Sequence, residues 1–229
     1  MIPLVLIPGM MCDARMWGGL PNALSPREVR HALPVGSDSV EALAATILKA
    51  APPRFALAGL SMGGIVAMEI LRQAPDRVSR LALLDTNPLA ETAQMQARRL
   101  PQIAKVQAGS LAEVMRDEMK PNYLIPGPGQ SAILDLCMEM ALTLGPAAFM
   151  SQSRALASRP DQQDTLKAFK GPALVLMGED DRLCPRPRHD LMHRLMPQSR
   201  LVIIQAAAHL PTLEQPAQTT AALRSWLEE

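Results

Sequence analysis

Aromatic residues are scarce in this chain. There are three Phe, two Trp and one Tyr among 229 residues, 3% in all. A surface that grips polymeric carbohydrate or extended ring systems stacks them on several such side chains, so those ligands are poor candidates. Neither sign of charge is in excess. Lys and Arg number 23, Asp and Glu 22, and the net charge is +1, which gives nucleic acid or an anionic membrane surface nothing to be drawn to. Cysteine is limited to Cys12, Cys137 and Cys184. With no C-x-x-C and an odd count, neither a disulfide framework nor a zinc knuckle is indicated, and reduced thiols in a cytoplasmic protein are expected. The apolar stretch Met1-Ile2-Pro3-Leu4-Val5-Leu6-Ile7-Pro8-Gly9 is too short to span a bilayer. It also lacks the basic start and small-residue cleavage site of a signal peptide, and reads as a buried strand. No phosphate loop and no dinucleotide fingerprint occur, so no organic cofactor is expected.

What is present is an ordinary globular balance, 48% hydrophobic and 20% charged, at a length that suits one domain. Short aliphatic runs at residues 3–7, 29–33, 55–58, 78–84, 173–177 and 201–204 lack strict alternation, as parallel strands covered on both faces do. Helical patterns alternate with them. Val40, Leu43, Ala44, Ile47 and Leu48 form one apolar stripe, with Ser39 as N-cap and Pro52-Pro53 as stop. Leu191, Met192, Leu195 and Met196 mark another helix, and Leu223, Trp226 and Leu227 the last. The prediction is a parallel sheet of about six strands with helices on both faces.

Residues 88–164 break that rhythm. Helical runs at 91–106, 111–120, 131–144 and 147–158 are separated by Gly109, the Pro121…Pro126-Gly127-Pro128-Gly129 segment and Gly145-Pro146. They predict a helical lid (88–164) inserted into a core made of 1–87 and 165–229. The run from Ile133 to Leu144 is apolar nearly all round and is expected to be buried on several faces.

The most specific signal is Gly59-Leu60-Ser61-Met62-Gly63-Gly64, a G-x-S-x-G between an apolar strand and an amphipathic helix. A tight turn there lifts the serine hydroxyl above the sheet. The glycines leave room for it, and the following helix aims its N-terminal N–H groups at a developing oxyanion. A serine needs a base. Of four histidines, His31 lies in a strand, and His189 and His193 stand i, i+4 on a charged helix. That pair lacks H-E-x-x-H and a third ligand, so a solvated face is expected and no metal. His209 follows the last strand, in Gln205-Ala206-Ala207-Ala208-His209-Leu210-Pro211, where small residues let a loop reach the site. The base in turn needs a carboxylate. Glu179, Asp180 and Asp181 follow the fifth strand and Asp85 the fourth, and spacing alone leaves the choice open.

These segments together resemble the α/β-hydrolase superfamily, in its branch of small esterases, enol-lactonases and cofactor-free perhydrolases, over nearly the whole chain. Gly178-Glu179-Asp180-Asp181-Arg182-Leu183-Cys184-Pro185 resembles the family's G-x-x-D-x-x-x-P acid loop, and that likeness selects Asp181. His209-Leu210-Pro211-Thr212-Leu213-Glu214-Gln215-Pro216 resembles its histidine segment, in which Glu214 would be a structural residue opening the last helix. Ile7-Pro8-Gly9-Met10-Met11-Cys12 resembles its oxyanion loop, with Pro8 where histidine is common. The likeness implies backbone N–H donors at Met10 and Met62, with Cys12 a small packing residue nearby. It also implies an α/β-hydrolase fold, although only Met1 and Ile2 precede the first strand, so the N-terminal antiparallel hairpin should be absent.

The implied activity is hydrolysis of a small carboxylic ester or lactone through an acyl-enzyme on Ser61, with His209 as base and Asp181 as supporting acid. The implied partner is a small acyl substrate. The same triad serves thioesterases, amidases, C–C hydrolases and perhydrolases, and a non-catalytic ligand sensor can retain it. A purely structural protein fits least, because three separated segments each carry the required residue type.

Overall fold

The computed structural model describes residues 1–127 and 129–229. Pro128, one of the expected helix breakers, lies outside the described residues. Six strands, β1 (Leu4–Ile7), β2 (Val29–His31), β3 (Phe55–Leu60), β4 (Val78–Leu84), β5 (Ala173–Gly178) and β6 (Arg200–Ile204), form one sheet in the order β2-β1-β3-β4-β5-β6. Every pairing is parallel. The chain leaves β1 toward one edge and returns to β3 on its other side. The strand order therefore reverses between β1 and β3, and the crevice at their carboxyl ends is where open α/β sheets bind ligands.

The strands are apolar throughout because both faces of the sheet are covered. Val5, Ile7, Leu57, Leu81, Leu83 and Val175 point into one half of the core, with Val40, Leu43, Val66, Ile70 and Met192. These last come from α1 (Val40–Ala50), α2 (Met62–Gln73) and, for Met192, α6 (Arg186–Leu195). Their strand neighbours Leu4, Leu6, Ala56, Ala58, Leu174 and Leu176 point to the other face, where Trp17 and Leu223 and Trp226 of α7 (Pro216–Glu228) cover them. This is the period-two alternation of a strand, with an apolar residue at both phases. Ser39 caps α1 by accepting the Ala42 N–H at 3.2 Å. The edge strands β2 and β6 are the least buried, and His31 is exposed on β2.

Between β4 and β5 the chain is helical. It contains α3 (Ala93–Gln107), single turns at Leu111–Val114 and Lys120–Asn122, a π turn at Met115–Met119, α4 (Gln130–Ala157) and α5 (Gln163–Ala168). The ends of this insertion are fastened together. Gln162 N–H donates to Pro88 O at 2.8 Å, Arg159 Nε donates to Leu89 O at 3.0 Å, and Glu91 pairs with both Arg99 and Arg159.

The two helices expected at 131–144 and 147–158 run on as α4, broken by Gly145 at φ 79°, ψ 177°. Gly145 supplies a backbone conformation that residues with a Cβ avoid, and Pro146 then starts the second half. The apolar first half is not buried on several faces. Cys137, Met140 and Ala141 are buried, while Leu142 is 54% exposed. The helix rests on the core by one face, and apolar composition alone did not say how many faces have neighbours. By length and composition α4 could cross a membrane, but Gly145 divides it and Cys137, Met140, Phe149 and Gln152 are buried within the fold.

Candidate active site

Ser61 stands between β3 and α2 with φ 55° and ψ −117°, a conformation strained for a residue with a side chain. Its surroundings dictate that strain. Ser61 N–H donates to Leu84 O at 2.9 Å, and Thr86 Oγ1 donates to Ser61 O at 2.7 Å, so the end of β4 and the residues just after it hold the turn by both its N–H and its C=O. A Cβ on Gly59 would lie 2.2 Å from Gly63 O, and one on Gly63 would lie 2.0 Å from Ile7 O. Only glycine permits the helix to begin this close to β1 and β3.

His209 reaches the serine from the loop after β6. Its Nε2 lies 2.9 Å from Ser61 Oγ and its Nδ1 lies 2.9 Å from Asp181 Oδ2. Asp181 Oδ1 accepts the N–H groups of Leu183 at 2.8 Å and Cys184 at 3.0 Å. Burial raises the Asp181 pKa. The His209 charge and hydrogen bond and the two amides outweigh it, and the carboxyl lies below its ordinary range. Glu214 sits in the turn Pro211–Glu214, ahead of α7 and not at its opening. It accepts the N–H groups of Ala208 and Leu210, each at 3.0 Å, so the amides on both sides of His209 are pinned by one carboxylate. This bracing role was not legible in the sequence.

Asp85, the other acid considered, is fully buried at the end of β4. Its Oδ1 accepts Gly178 N–H at 2.8 Å, while Oδ2 has no partner among the described residues. Burial and the facing Asp181 charge push its pKa well above the usual carboxylate range. Both effects favour the protonated form of Asp85, and the carboxylate bonded to His209 is that of Asp181.

Met10 follows β1 in the loop whose Gly9 approaches the serine, a Cβ on Gly9 lying 3.5 Å from Ser61 Cβ, and Met62 follows the serine at the first turn of α2. The N–H groups around Met10 are occupied. That of Gly9 donates to Met16 Sδ at 3.4 Å, that of Met11 to Gln152 Oε1 at 2.9 Å, and that of Cys12 to Gly9 O at 3.2 Å. Among the described residues the Met10 N–H has no such acceptor. Met62 opens α2, where N–H groups have no intrahelical partner. Unpaired backbone N–H groups beside a nucleophile are the kind of donor that receives a carbonyl oxygen as it becomes negative.

The remaining histidines and the thiols make none of these hydrogen bonds. His189 is fully buried, contrary to the solvated face expected of it, because it shares the inner side of α6 with Met192. Burial lowers its pKa to about 4, so the ring is neutral. His193 Nδ1 bonds Ser199 Oγ at 2.8 Å. Burial raises the Cys12 and Cys184 thiols well above their ordinary range and Cys137 to about 11, leaving them poor nucleophiles. Asp181, Cys184 and His209 could offer three ligand atoms within 4.8 Å of one another. Asp181 and His209 are already committed to each other, which leaves a metal ion no free donor set there.

The model of the Alpha/beta hydrolase family matches residues 4–223. The chain belongs to the alpha/beta hydrolase family. Among curated relatives of this hydrolase, the pimeloyl-[acyl-carrier protein] methyl ester esterase of Citrobacter koseri is 25% identical over 96% of the chain and 91% of its own length. Among solved structures, a thermophilic esterase from Thermogutta terrifontis superposes with a TM-score of 0.89 at 29% identity, covering 100% of this chain and 90% of that one. The enol-lactonase from Burkholderia xenovorans LB400 has a TM-score of 0.88 at 20% identity, covering 100% and 92%, and shares the fold.

Proposed function

We propose that this alpha/beta hydrolase cleaves small carboxylic esters or lactones through an acyl-enzyme on Ser61. The observation that carries the reading is the single imidazole of His209 bridging Ser61 Oγ and Asp181 Oδ2 at 2.9 Å on each side. The esterase names borne by its relatives support the ester as the bond cleaved. Ser61 Oγ attacks the carbonyl carbon as His209 Nε2 takes its proton. Asp181 holds the Nδ1–H tautomer and stabilises the imidazolium. The Met10 and Met62 N–H groups receive the oxyanion, and His209 returns the proton to the departing alkoxide. A water then repeats the sequence against the acyl-enzyme and frees the acid. No step requires a metal or an organic cofactor.

The helical insertion, residues 88–164, serves as the lid in this reading, and residues 1–87 and 165–229 as the core. Tyr123 O accepts the His209 N–H at 3.0 Å, and the Tyr123 and His209 rings lie 6.2 Å apart, so the insertion closes directly over the base. A cytoplasmic location suits the three free cysteines.

The test is Ser61→Ala. It should abolish labelling by a fluorophosphonate probe and remove nearly all turnover of p-nitrophenyl butyrate, while undiminished hydrolysis would place the chemistry elsewhere. Multiple turnovers by the native enzyme would dismiss a ligand sensor. The curated relatives' name favours a second, narrower reading, a methyl ester of an acyl chain borne on a carrier protein. It predicts faster cleavage of the carrier-bound pimeloyl methyl ester than of free dimethyl pimelate, and equal rates would remove it.

A further inference from the structure

Gln152 lies on the second half of α4, 141 residues from the oxyanion loop in sequence, and is completely buried. Its Oε1 accepts the Met11 N–H at 2.9 Å and its Nε2 donates to Pro34 O at 3.0 Å. The amide orientation is unambiguous, because a backbone N–H can only donate and a carbonyl can only accept. One side chain from the insertion thus ties together the loops that follow β1 and β2.

Met11 is held at φ 56°. A methionine in that left-handed conformation relaxes unless its surroundings prevent it. Three neighbouring bonds surround the Met10 N–H. The Gly9 and Cys12 amides bond to groups of the same loop or the turn after it, and only the Met11 amide is held from outside. If that bond were lost, Met11 could relax from φ 56°, and the shift would displace Met10 and, through it, the Gly9–Met10 peptide that carries the Met10 N–H. Pro8 has neither a side-chain donor nor an N–H with which to brace the loop.

We propose that Gln152 is a positioning residue for catalysis, holding the Met10 N–H in register for the oxyanion through its bond to the Met11 amide. The inference rests on the reading of Met10 as an oxyanion donor. It makes the insertion part of the catalytic apparatus as well as a cover. A movement of α4 that withdraws Gln152 releases the oxyanion loop, and docking of α4 restores it.

The experiment compares the native enzyme with Gln152→Met, which keeps the volume, loses the Pro34 bond and leaves the Met11 N–H at most a weak thioether acceptor, and Gln152→Glu, which keeps a strong acceptor for the Met11 N–H. Measured are kcat and KM for p-nitrophenyl butyrate, the inhibition constant of an alkyl boronic acid, and Tm. The boronate forms a tetrahedral adduct on serine and places a hydroxyl in the oxyanion hole. Complete loss of an oxyanion donor costs about 10²–10³ in kcat, so displacing one should cost Gln152→Met about 10- to 100-fold. KM should stay within about threefold and boronate affinity should fall in step with kcat/KM. Folded Gln152→Glu should keep a kcat at least about fivefold above that of Gln152→Met. Should Gln152→Met not fold, Gln152→Asn, which withdraws the amide by one methylene, carries the same expectation. Native kcat and boronate affinity in a folded Met or Asn variant would overturn the proposal. So would a loss confined to KM or Tm, or equal losses in folded Met and Glu variants. If the native enzyme itself takes up neither fluorophosphonate nor boronate, the acyl-enzyme reading fails first and Gln152 has no oxyanion to serve.

Discussion

Two carboxyl groups meet behind the His209 ring, both buried, and their partners decide which of them better holds a charge. Asp181 has a histidine and two amides to stabilise its anion, whereas Asp85 has one amide and a neighbouring anion. Asp181→Asn should therefore lower turnover severely, by roughly the 10⁴-fold that follows when such an acid is neutralised. Asp85→Asn should keep most of the activity, since an amide resembles the neutral acid it replaces. A crippled Asp85→Asn beside an active Asp181→Asn would reverse the assignment. The raised pKa of Asp85 has a second consequence. Between its unfolded and folded pKa the native state binds a proton that the unfolded chain has released, so stability falls as pH rises, by up to about 1.4 kcal/mol per unit. Asp85→Asn removes that dependence, and its Tm relative to the native protein should climb as pH is raised above the ordinary carboxylate range. A Tm difference flat with pH would mean that Asp85 is ionised. At this scale the sequence revealed Ser61 and His209 through a strand–turn–helix motif and a small-residue loop. It could not separate Asp85 from Asp181 by spacing, because both end strands of one sheet and differ only in what surrounds them. Gln152 was silent, since a glutamine within a helix has no motif and its partners are far away in the chain.

At the scale of elements, the site depends on how closely α2 can start against β1 and β3. Gly63 is the point of contact, and Gly63→Ala places a methyl 2.0 Å from Ile7 O. The strain has no flexible side chain to absorb it, so the substitution should cost about 3 kcal/mol or more and abolish fluorophosphonate labelling. Ser39→Ala gives the contrast. It removes the α1 cap and should cost about 1 kcal/mol in chemical denaturation with kcat unchanged. Equal tolerance of both substitutions would contradict the packing described. The strands were legible because residues buried on two faces are apolar at both phases. The insertion was legible as helices and breakers, but not in how it is buried. Ile133 to Leu144 reads as an enclosed helix, yet Leu142 faces outward because nothing in local sequence says which faces of a helix have neighbours.

For the whole molecule the question is how large an acyl group fits beneath the insertion. Its methionines divide by position. Met115 and Met140 are buried, Met119, Met138 and Met150 are packed against the core, and Met95 is 40% exposed. Met140 is tied down by accepting the Asp13 N–H at 3.4 Å. With Gln152 on the Met11 amide and Tyr123 O on the His209 amide, the insertion is hydrogen-bonded both to the loop after β1 and to the loop that carries the base. In the proposed reading such fastenings resist wide opening and favour compact acyl groups. Each methylene buried contributes about 0.8 kcal/mol, hence up to roughly fourfold in kcat/KM, until the space is filled. Across p-nitrophenyl esters from acetate to palmitate, kcat/KM should rise over the shortest chains and then fall as longer ones meet the insertion. A maximum at palmitate would refute this, because sixteen carbons can be admitted only if α4 swings away. That movement would carry Gln152 from the Met11 amide, so such a lipase-like enzyme would have to rebuild its oxyanion loop at every turnover.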